Sequence, residues 1–356
     1  MAKNLMPAVA ILIICHNGRE YLRDCLESIL ASDDSPFVRR IVVVDNASTD
    51  GSADFLAAEF PQITLLRGAK NLGFAGGNNL GWDYIRTNLP AVQYLALLNQ
   101  DTVVKSGWLA ELASFMESRP VIAAAQARLM LHPRTDIFNS AGNISHFLGF
   151  GFTTQFGSPD SGSPQPWRRL GFVSGAAVLL RTDALHRTGL FDPAFFAYLE
   201  DADLSWKLRQ LGYDLAYVPA SVVYHKYEFK ADWSHYYLLE RNRWLLVATY
   251  YQMATLLLLL PALAAMEIGQ FYFAWRNKIL RQKLRAWRYL LDRPNLRHLS
   301  RRRTLAQNRR LISDSRFTAP FIGSAHFPEL KSPLLRHLAN PAFATYWNLA
   351  RRLIAW

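Results

Sequence analysis

The chain has 356 residues, a length that suits two average domains or one α/β domain with appended segments. Its composition is 51% hydrophobic and 19% charged, and the mean hydropathy is close to zero. These values exclude a disordered chain, a collagen and a transporter with many membrane spans. The two cysteines, Cys15 and Cys25, provide neither a disulfide framework nor the spacing of a metal site, which favours a reducing cytosol.

The net charge of +12 is concentrated in one segment of the chain. Residues 276–310 contain thirteen Lys or Arg and a single acid, Asp292, which leaves 27 basic and 27 acidic residues in the rest of the chain. A basic segment attached to a neutral body predicts nucleic acid or an anionic lipid surface as a partner.

Short β-rich runs alternate with helical patterns over the first 130 residues. Because each run is apolar on both faces, this alternation predicts an α/β fold with a mostly parallel sheet and helices on both sides. The predicted strands are Val9–Ile14, Ile41–Val44, Ile63–Leu66, Tyr94–Leu98 and Val121–Ala125. The predicted helices are Glu20–Leu30, Ser52–Phe60, Gly77–Arg86 and Ser106–Ser118.

The second part of the chain has a different pattern. Residues 129–170 lose their periodicity and accumulate Gly, Pro and Ser, which predicts a long flexible loop. From Tyr236 onward the segments are long and helical, so the domains are predicted to be 1–235 and 236–356. Between residue 170 and Tyr236 the pattern predicts a strand over Phe172–Leu180, a helix from Thr182, a helix over Glu200–Leu211, and strands over Asp214–Val218 and Val222–His225.

Polar residues follow the predicted strands at their C-terminal ends, where ligands bind in sheets of this kind. Asp45 follows the second strand and can accept a hydrogen bond from a pyrimidine N–H, whereas Ser48, Thr49 and Asp50 are mainly helix caps. Asp101 follows the fourth strand and suits Mg²⁺ or Mn²⁺ on a diphosphate, although a helix cap is an equal alternative.

A glycine-rich stretch, Asn71–Asn79, lies between a predicted strand and a predicted helix. It is neither a P-loop nor a G-x-G-x-x-G motif. Its glycines let the backbone approach a ligand closely, and its Asn side chains offer donors and acceptors. A glycine turn with an Asn cap is the alternative interpretation.

The densest acidic cluster is Glu200, Asp201 and Asp203, at the start of a predicted helix. Acids in a first helical turn are favoured by the helix dipole alone. Three carboxylates in four residues exceed that need, and crowding raises the pKa of at least one of them, as a general base requires. His225 is an isolated histidine at the end of a later strand.

The order of these motifs resembles glycosyltransferase family 2, whose members are inverting enzymes with the GT-A fold. The resemblance covers about residues 7–245 and is greatest to bacterial rhamnosyltransferases. It implies a Rossmann-like, mostly parallel central sheet flanked by helices, with a C-terminal helical region that associates with a membrane. The motifs that carry it are Ile13–Asn17, Val43–Asp50, Asn71–Asn78, Leu98–Asp101, Val173–Ala176, Glu200–Leu204 and Val223–His225.

The resemblance implies roles for individual residues. Asp201 matches the catalytic base, and Asp101 and His225 match metal ligands, whereas Asn99 replaces the first acid of the metal motif and should weaken metal binding. Arg243 and Trp244 match an Arg-Trp pair near the diphosphate, but the family's Gln ahead of it is Glu240 here. The residues implied in nucleotide-sugar binding are Asn17, Asp45, Asn46, Asn71, Gly73, Gly76, Asn78, Gln100 and Asp101. Those implied in contacts to the donor sugar and acceptor are Ser174, Gly175, Glu200, Asp203, Arg243 and Trp244.

The expected activity is therefore inverting transfer of a sugar from a nucleotide-sugar to a hydroxyl of a cell-surface glycan or lipid-linked acceptor, with Mn²⁺ or Mg²⁺. The best guess for the donor is dTDP-rhamnose, with UDP-sugars next. Two alternatives stay open: a basic nucleic-acid-binding protein, which is disfavoured by the apolar run beside the basic segment, and an inactive transferase-like scaffold.

The run from Trp244 to Met266 has 23 residues without a charge, long enough to span a membrane. Nucleotide sugars and Arg-rich flanks both belong on the cytosolic side, and Pro261 can break the run in two. We therefore predict an interfacial or re-entrant helical hairpin on the cytoplasmic side of the membrane, with Trp275, Trp287 and the Arg cluster against anionic headgroups.

Overall fold

The computed structural model describes residues 7–163, 165–227, 233–324, 333 and 335–356. These residues form two compact units. Unit 1 takes its described residues from Met1–Asn143, Thr153–Leu208 and Tyr213–Glu228, and unit 2 from Ile144–Phe152, Arg209–Gly212 and Phe229–Trp356. The division into functional domains at residue 235 stays a prediction.

Unit 1 is built on a mixed ten-stranded sheet, which confirms the α/β fold class. The bounds of the twelve strands within the described residues are β1 (Ala8–Cys15), β2 (Val38–Asp45), β3 (Thr64–Arg67), β4 (Val92–Asn99), β5 (Thr102–Val104), β6 (Ile122–Leu131), β7 (Phe138–Ser140), β8 (Asn143–Ser145), β9 (Gly151–Thr153), β10 (Arg168–Arg169), β11 (Ala177–Arg181) and β12 (Asp214–His225). The order in the sheet is β10-β12-β6-β11-β4-β1-β2-β3, with β5 on β12 and β7 on β6, while β8 and β9 pair separately.

The strand directions follow the connections along the chain. β3, β2, β1 and β4 are parallel, as the β-α-β alternation predicts, and β12 is parallel to β6. β11 is antiparallel to both β4 and β6. No helix lies between β6 and β11 in the described residues, so no crossover forces them to be parallel.

Helices cover both faces of the sheet, and β1 shows why. Its residues Val9, Ile11 and Ile13 enter one buried cluster, and Ala10 and Leu12 enter another on the opposite face. This double burial confirms the prediction from its unbroken apolar run. The helices that begin in unit 1 are α1 (Arg19–Ala31), α2 (Ser52–Glu59), α3 (Gly73–Asn88), α4 (Trp108–Glu117), α5 (Thr182–Thr188) and α6 (Glu200–Gln210).

The prediction of a long flexible loop over residues 129–170 is wrong in its first part. β6 continues to Leu131, and the segment that follows contains three short strands and many buried residues. The Ser and Asn residues there are buried because they satisfy one another: Ser140 Oγ accepts from Gln126 Nε2 at 3.3 Å and lies 3.1 Å from the Asn143 amide. Polar composition alone does not reveal such internal pairing.

Unit 2 is mostly helical in its described residues, with parts of β8 and β9 in its segment Ile144–Phe152. Its helices are α7 (Tyr236–Tyr250), α8 (Met253–Arg276), α9 (Leu280–Leu291), α10 (Arg293–Arg309), α11 (Asp314–Thr318) and α12 (Asn340–Leu353). α8 has a mean hydropathy of 1.7 and is the one helix of the described chain with the length and composition to cross a membrane. The predicted break at Pro261 is wrong, because Pro261 lies inside α8 and the apolar run is interrupted at Tyr251 and Gln252 instead.

Candidate active site

The parallel strands of unit 1 bring the predicted polar clusters to one edge of the sheet. Cys15 of β1 is in register with Asp45 of β2, and Ile14 with Asn99 of β4. The residues that follow these positions are therefore neighbours, as expected for C-terminal ends of parallel strands.

Asn46 is 2% exposed and holds the loop that follows β3. Its Nδ2 donates to Asn71 Oδ1 at 3.1 Å and to the Gly73 carbonyl at 3.0 Å, and its Oδ1 accepts from Leu72 N at 2.9 Å. Both ends of the amide are thus used by the protein. The prediction that Asn46 contacts the donor directly is corrected: it is a positioning residue for the 71–73 loop.

His16 connects the ends of three strands. Its Nδ1 lies 3.1 Å from the Asn46 carbonyl oxygen, and its Nε2 lies 3.0 Å from Asn71 Nδ2. Gln100 pairs with the His16 backbone, accepting from its N–H at 3.1 Å and donating to its carbonyl at 3.4 Å. The Gln100 amide thus fixes the His16 backbone, and its predicted contact with the donor stays a prediction, while Asn71 is exposed at the rim.

Asp45 has one carboxylate oxygen at this edge of the sheet without a hydrogen-bond partner among the described residues. It is 4% exposed, and its Oδ2 accepts from Ser48 N at 3.3 Å, but its Oδ1 has no hydrogen-bond partner among the described residues. A buried carboxylate oxygen without a partner is costly unless a ligand supplies one. Next to it, exposed Asn17 accepts from Thr49 N at 2.8 Å, which joins the loops after β1 and β2.

The glycine-rich stretch is the first turn of α3 rather than a loop ahead of it. Gly73 has φ +70°, and a Cβ there would lie 2.4 Å from the Phe196 carbonyl oxygen, which also accepts from Ala75 N at 3.0 Å. At Gly76 a Cβ would lie 2.7 Å from Leu72 Cβ. Asn78 is 1% exposed and donates to the Phe74 carbonyl, so its predicted contact with the donor is corrected to a bond within the helix.

The acidic cluster opens α6 with two carboxyl groups in different surroundings. Asp201 is partly exposed; its Oδ1 accepts from Ala202 N at 2.7 Å and its Oδ2 from Gly175 N at 3.3 Å. Burial raises the pKa of Asp201 to about 6, against the lowering effect of these N–H groups. Burial and the Asp201 charge together raise the pKa of Glu200 to about 8, and its Oε2 has no partner among the described residues.

Asp203 is separate from this pair. It is 1% exposed and lies 3.6 Å from Lys207 Nζ one turn further along α6. Its predicted contact with the sugar is therefore corrected to a buried ion pair inside the helix.

Ser174 and Gly175 form a turn beside Asp201, and Gly175 also lies close to Phe74 of α3. Gln126 Oε1 accepts from Ser174 N at 2.8 Å, which fixes this turn against β6. A Cβ at Gly175 would lie 3.2 Å from the Phe74 ring and 4.0 Å from Asp201 Cβ. The bare backbone at Gly175 therefore lets α3 and α6 approach each other at the predicted position.

Asp101 and His225 are brought together as the resemblance implies. His225 Nε2 lies 3.2 Å from Asp101 Oδ1 and 3.5 Å from Asn99 Nδ2, and its Nδ1 lies 3.1 Å from Asn139 Oδ1. If Nδ1 donates to Asn139, Nε2 presents a lone pair toward Asp101, an arrangement that suits a cation between them. Within the described chain no group of three or more His, Cys, Asp or Glu forms such a site, so the protein offers two ligands and the fit is that of a weak site.

Arg243 and Trp244 belong to unit 2, and their predicted contacts with the diphosphate and the sugar stay predictions. Arg243 is 1% exposed, and its guanidinium binds Glu240, Glu267 and the Leu148 carbonyl oxygen. Trp244 Nε1 donates to Glu240 at 3.2 Å. Glu240 stands where the family carries Gln, and this substitution turns the Arg-Trp pair into part of a buried ion cluster.

Three positioning residues were not foreseen. Asn139 faces His225, Gln126 holds Ser174, and Phe196 packs its backbone on Gly73. Asn139 and Gln126 come from segments with no motif, and only the tertiary contacts identify them.

Comparison with known proteins agrees with this fold. The sequence profile of Glycosyl transferase family 2 matches residues 10–187, half of the chain, so the chain belongs to this family and is a glycosyltransferase. The N-acetylglucosaminyl-diphospho-decaprenol L-rhamnosyltransferase of Mycobacterium tuberculosis is 27% identical over 243 residues, 63% of this chain and 76% of that protein. Rhamnosyltransferase WbbL of Escherichia coli K12 is 23% identical over 252 residues, 69% and 92% of the two chains. The predicted resemblance to the rhamnosyltransferase-like branch is confirmed.

Solved structures share the GT-A fold at low identity. GalNAc-T7 with UDP, GalNAc and Mn²⁺ has a TM-score of 0.57 and 17% identity over 70% of this chain, which spans 49% of the length of GalNAc-T7. S. aureus TarS 1-349 in complex with UDP has a TM-score of 0.51 and 14% identity over 97% of this chain and 90% of its own. At these identities the likeness establishes the fold alone.

Proposed function

We propose that this glycosyltransferase moves a sugar from a nucleotide-sugar to an acceptor hydroxyl with inversion, and that Asp201 is the general base. The observation that carries the proposal is the state of Asp201: a partly exposed carboxylate with a pKa of about 6 and no Lys or Arg against it in the described residues. At neutral pH it is ionised and can take a proton, while its neighbour Glu200, with a pKa of about 8, stays mostly protonated.

The reaction is a single displacement. Asp201 accepts the proton of the acceptor hydroxyl as the acceptor oxygen forms a bond to the anomeric carbon. The bond from that carbon to the diphosphate oxygen breaks on the opposite face, and the nucleoside diphosphate leaves with the electron pair. One displacement inverts the anomeric configuration, so no covalent enzyme intermediate is required.

The donor side is supported by the edge formed by β1, β2 and β4. The free Oδ1 of Asp45 is an acceptor for the N–H of a pyrimidine, and the 71–73 loop and Asn17 lie beside the same strand ends. L-Rhamnose from dTDP-rhamnose is the proposed donor because two relatives are rhamnosyltransferases. The decaprenyl diphosphate acceptor in the name of the first supports a lipid-linked acceptor.

Asp101 and His225 would hold a divalent cation, Mg²⁺ or Mn²⁺. When bound, the cation neutralises charge on the leaving diphosphate. Because Asn99 contributes an amide in place of a carboxylate, the diphosphate oxygens would supply much of the coordination. The apolar helix α8 and the basic 276–310 segment support a location at the cytoplasmic side of the cell membrane, against anionic lipid and without nucleic acid as a partner.

The test is a donor screen with the purified full-length chain, Mn²⁺ and an N-acetylglucosaminyl-diphospho-prenol acceptor. We expect nucleoside diphosphate release with dTDP-rhamnose to exceed release with UDP-sugars, and to require the acceptor. Faster release from a UDP-sugar would replace the proposed donor. Release at the background rate of the Asp201→Asn variant with every donor would favour the inactive scaffold.

A further inference from the structure

The exposed face of α8 is apolar over most of the helix. From Met253 to Trp275 every exposed residue is uncharged, and the Tyr272 hydroxyl and the Trp275 indole N–H are the two polar side-chain groups of this face. Leu257 is 65% exposed, Ile268 73% and Trp275 67%. We call this set the α8 outer face: Met253, Ala254, Leu257, Leu260, Pro261, Ala264, Ala265, Ile268, Gly269, Tyr272 and Trp275.

A surface helix normally presents polar residues to water, so the α8 outer face indicates a partner. At 1.5 Å per residue it is about 33 Å long, far more than a ligand pocket needs. Its two aromatic residues lie at the C-terminal end, and amphipathic rings of this kind favour the boundary between headgroups and acyl chains. The length and composition favour a lipid surface.

An ion cluster within unit 2 ties α8 to its neighbouring helices. Glu267 of α8 binds Arg243 of α7, and Lys283 of α9 lies 2.6 Å from Glu240 and 2.7 Å from Glu267. Lys283 is fully buried and Arg243 is 1% exposed. The two acids and two bases cancel, so separating α8 or α9 from the other helices leaves an unpaired buried charge.

This cluster argues against α8 as a membrane span. Glu267 lies about 21 Å along the helix from Met253, which is inside the ~30 Å hydrocarbon core of any crossing that starts there. Its charged partners on α7 and α9 would have to enter the core with it, at a high cost. A helix that lies flat on the membrane keeps the cluster on its protein side.

Positive charge next to α8 suits the headgroup layer. α9, which packs against α8, exposes Arg281, Arg285 and Arg288. The same helix exposes Leu284 by 52% and Leu291 by 66%. Basic groups interleaved with exposed leucines are typical of helices at anionic membrane surfaces. Trp287, in contrast, donates to Glu267 at 3.1 Å and is corrected from a headgroup contact to part of the cluster.

We infer that α8 lies in the plane of an anionic membrane, with its outer face in the acyl boundary and the arginines of α9 on lipid phosphates. The inference rests on the proposed function in one respect, the membrane location of a lipid-linked acceptor. It adds the residues that make the contact and excludes a transmembrane orientation.

Vesicle flotation tests the surface directly. The full chain is mixed with vesicles of phosphatidylglycerol and phosphatidylethanolamine, or of phosphatidylcholine alone. We expect strong, salt-sensitive binding to the anionic vesicles and at least a tenfold loss of binding in Leu257→Asp/Ile268→Asp. Val121→Asp, at a 47% exposed apolar position of unit 1, is the matched control and should bind like the parent. Equal binding of the double variant, with an unchanged melting temperature, would overturn the inference.

Labelling distinguishes the orientation. Gln252→Cys and Asn277→Cys flank α8, and both native cysteines are buried. We expect an impermeant maleimide to label both positions in inside-out membrane vesicles and neither from the periplasmic side. Labelling of the two positions from opposite sides would show a span and overturn the inference.

Two further measurements separate this inference from the proposed function. If the parent is a dimer without lipid and Leu257→Asp/Ile268→Asp makes it a monomer, the face binds a second copy and the lipid assignment is wrong. Transfer to a water-soluble acceptor analogue in detergent should be the same in parent and double variant. Vesicle binding without any transfer would reject the proposed function and leave this inference standing.

Discussion

Glu200 and Asp201 of unit 1 and Glu240 and Glu267 of unit 2 are two pairs of largely buried acids with different surroundings. In the described residues the first pair has no Lys or Arg against it, and N–H groups of the backbone are the donors to Asp201. The second pair is held by Arg243 and Lys283. The pairs differ in the presence of cations far more than in burial.

The pKa values follow this difference. Burial raises the pKa of Glu200 and of Asp201, and no Lys or Arg among the described residues offsets this effect. Burial also raises the pKa of Glu240, but the charges of Arg243 and Lys283 outweigh it and leave the pKa below its usual value. A carboxylate that is to accept a proton must lack a cation partner, whereas one that joins helices needs it. The acids in unit 1 are thus suited to chemistry and those in unit 2 to structure.

Removing the Asp201 carboxylate should have the largest effect on activity. We expect Asp201→Asn to lower the transfer rate by about 10²- to 10⁴-fold, the usual contribution of a general base. Nucleoside diphosphate affinity, measured by calorimetry, should stay within twofold because the carboxylate acts on the acceptor.

Asp203→Asn is the matched control, because Asp203 lies in the first turn of α6 together with Asp201 and is paired with Lys207. It should retain transfer within a few-fold of the parent. Near-normal turnover in Asp201→Asn would move the role of base to Glu200 or Asp203.

Removing a cation from the Glu240–Glu267 pair of unit 2 should reduce the stability of the fold without changing the transfer reaction. Lys283→Met leaves Glu240 and Glu267 with one cation, and we expect a loss of about 3–5 kcal/mol in the free energy of unfolding, measured in urea. Arg285→Met, at an exposed position of the same helix, should cost less than about 0.5 kcal/mol. A loss for Lys283→Met no larger than this control would show that the cluster does not hold the helices together.

The two pairs should also respond to pH in opposite directions. Glu200 has a folded-state pKa of about 8 against 4.5 in the unfolded chain, so between these values the folded state binds more protons and stability falls as pH rises. Glu240 has a lowered pKa, so its contribution is present above 4.5 and is lost as pH falls.

Thermal melts from pH 5 to pH 8 measure the effect of Glu200, and melts below pH 4.5 measure that of Glu240. Glu200→Gln should flatten the fall of melting temperature over this range, and Glu240→Gln should not. A slope that Glu200→Gln leaves unchanged would contradict the raised pKa. Transfer rates should rise through pH 6, where Asp201 ionises.

The sequence was sufficient to predict the layout of unit 1. Apolar runs alternating with helical patterns predicted the parallel strands, strand-end polarity located Asp45 and Asp101, and the density of acids at a helix start located Glu200 and Asp201. The direction of β11 was not predictable, because no local pattern records which way an isolated strand enters a sheet.

The sequence also could not predict which Asn side chains lie exposed and which are buried against backbone groups. Asn17 and Asn71 lie exposed at the rim, whereas Asn46 and Asn78 are buried against backbone groups. All four are asparagines within the recognised motifs, and only their tertiary partners decide whether an amide is exposed or holds a loop or helix in place. The burial of Arg243 was hidden for the same reason, since its partner Glu267 lies 24 residues further along the chain.

The smallest expected effect concerns Asn99, which determines how the Asp101–His225 pair would hold a cation. Asn99 Nδ2 lies 3.5 Å from His225 Nε2, so Asn99→Asp would place a third ligand, and a second carboxylate charge, at this position. Affinity for a nucleoside diphosphate in Mn²⁺ should rise on the order of tenfold, because ligand charge governs affinity at oxygen-rich sites. Asp101→Ala and His225→Ala should each weaken it, with metal-free binding unchanged in all three variants. Asn88→Asp adds the same charge at an exposed helix end and should have no effect. Equal affinities with and without Mn²⁺ in the parent chain would remove the metal from the proposed reaction and leave Asp201 as the one charged group assigned to the chemistry.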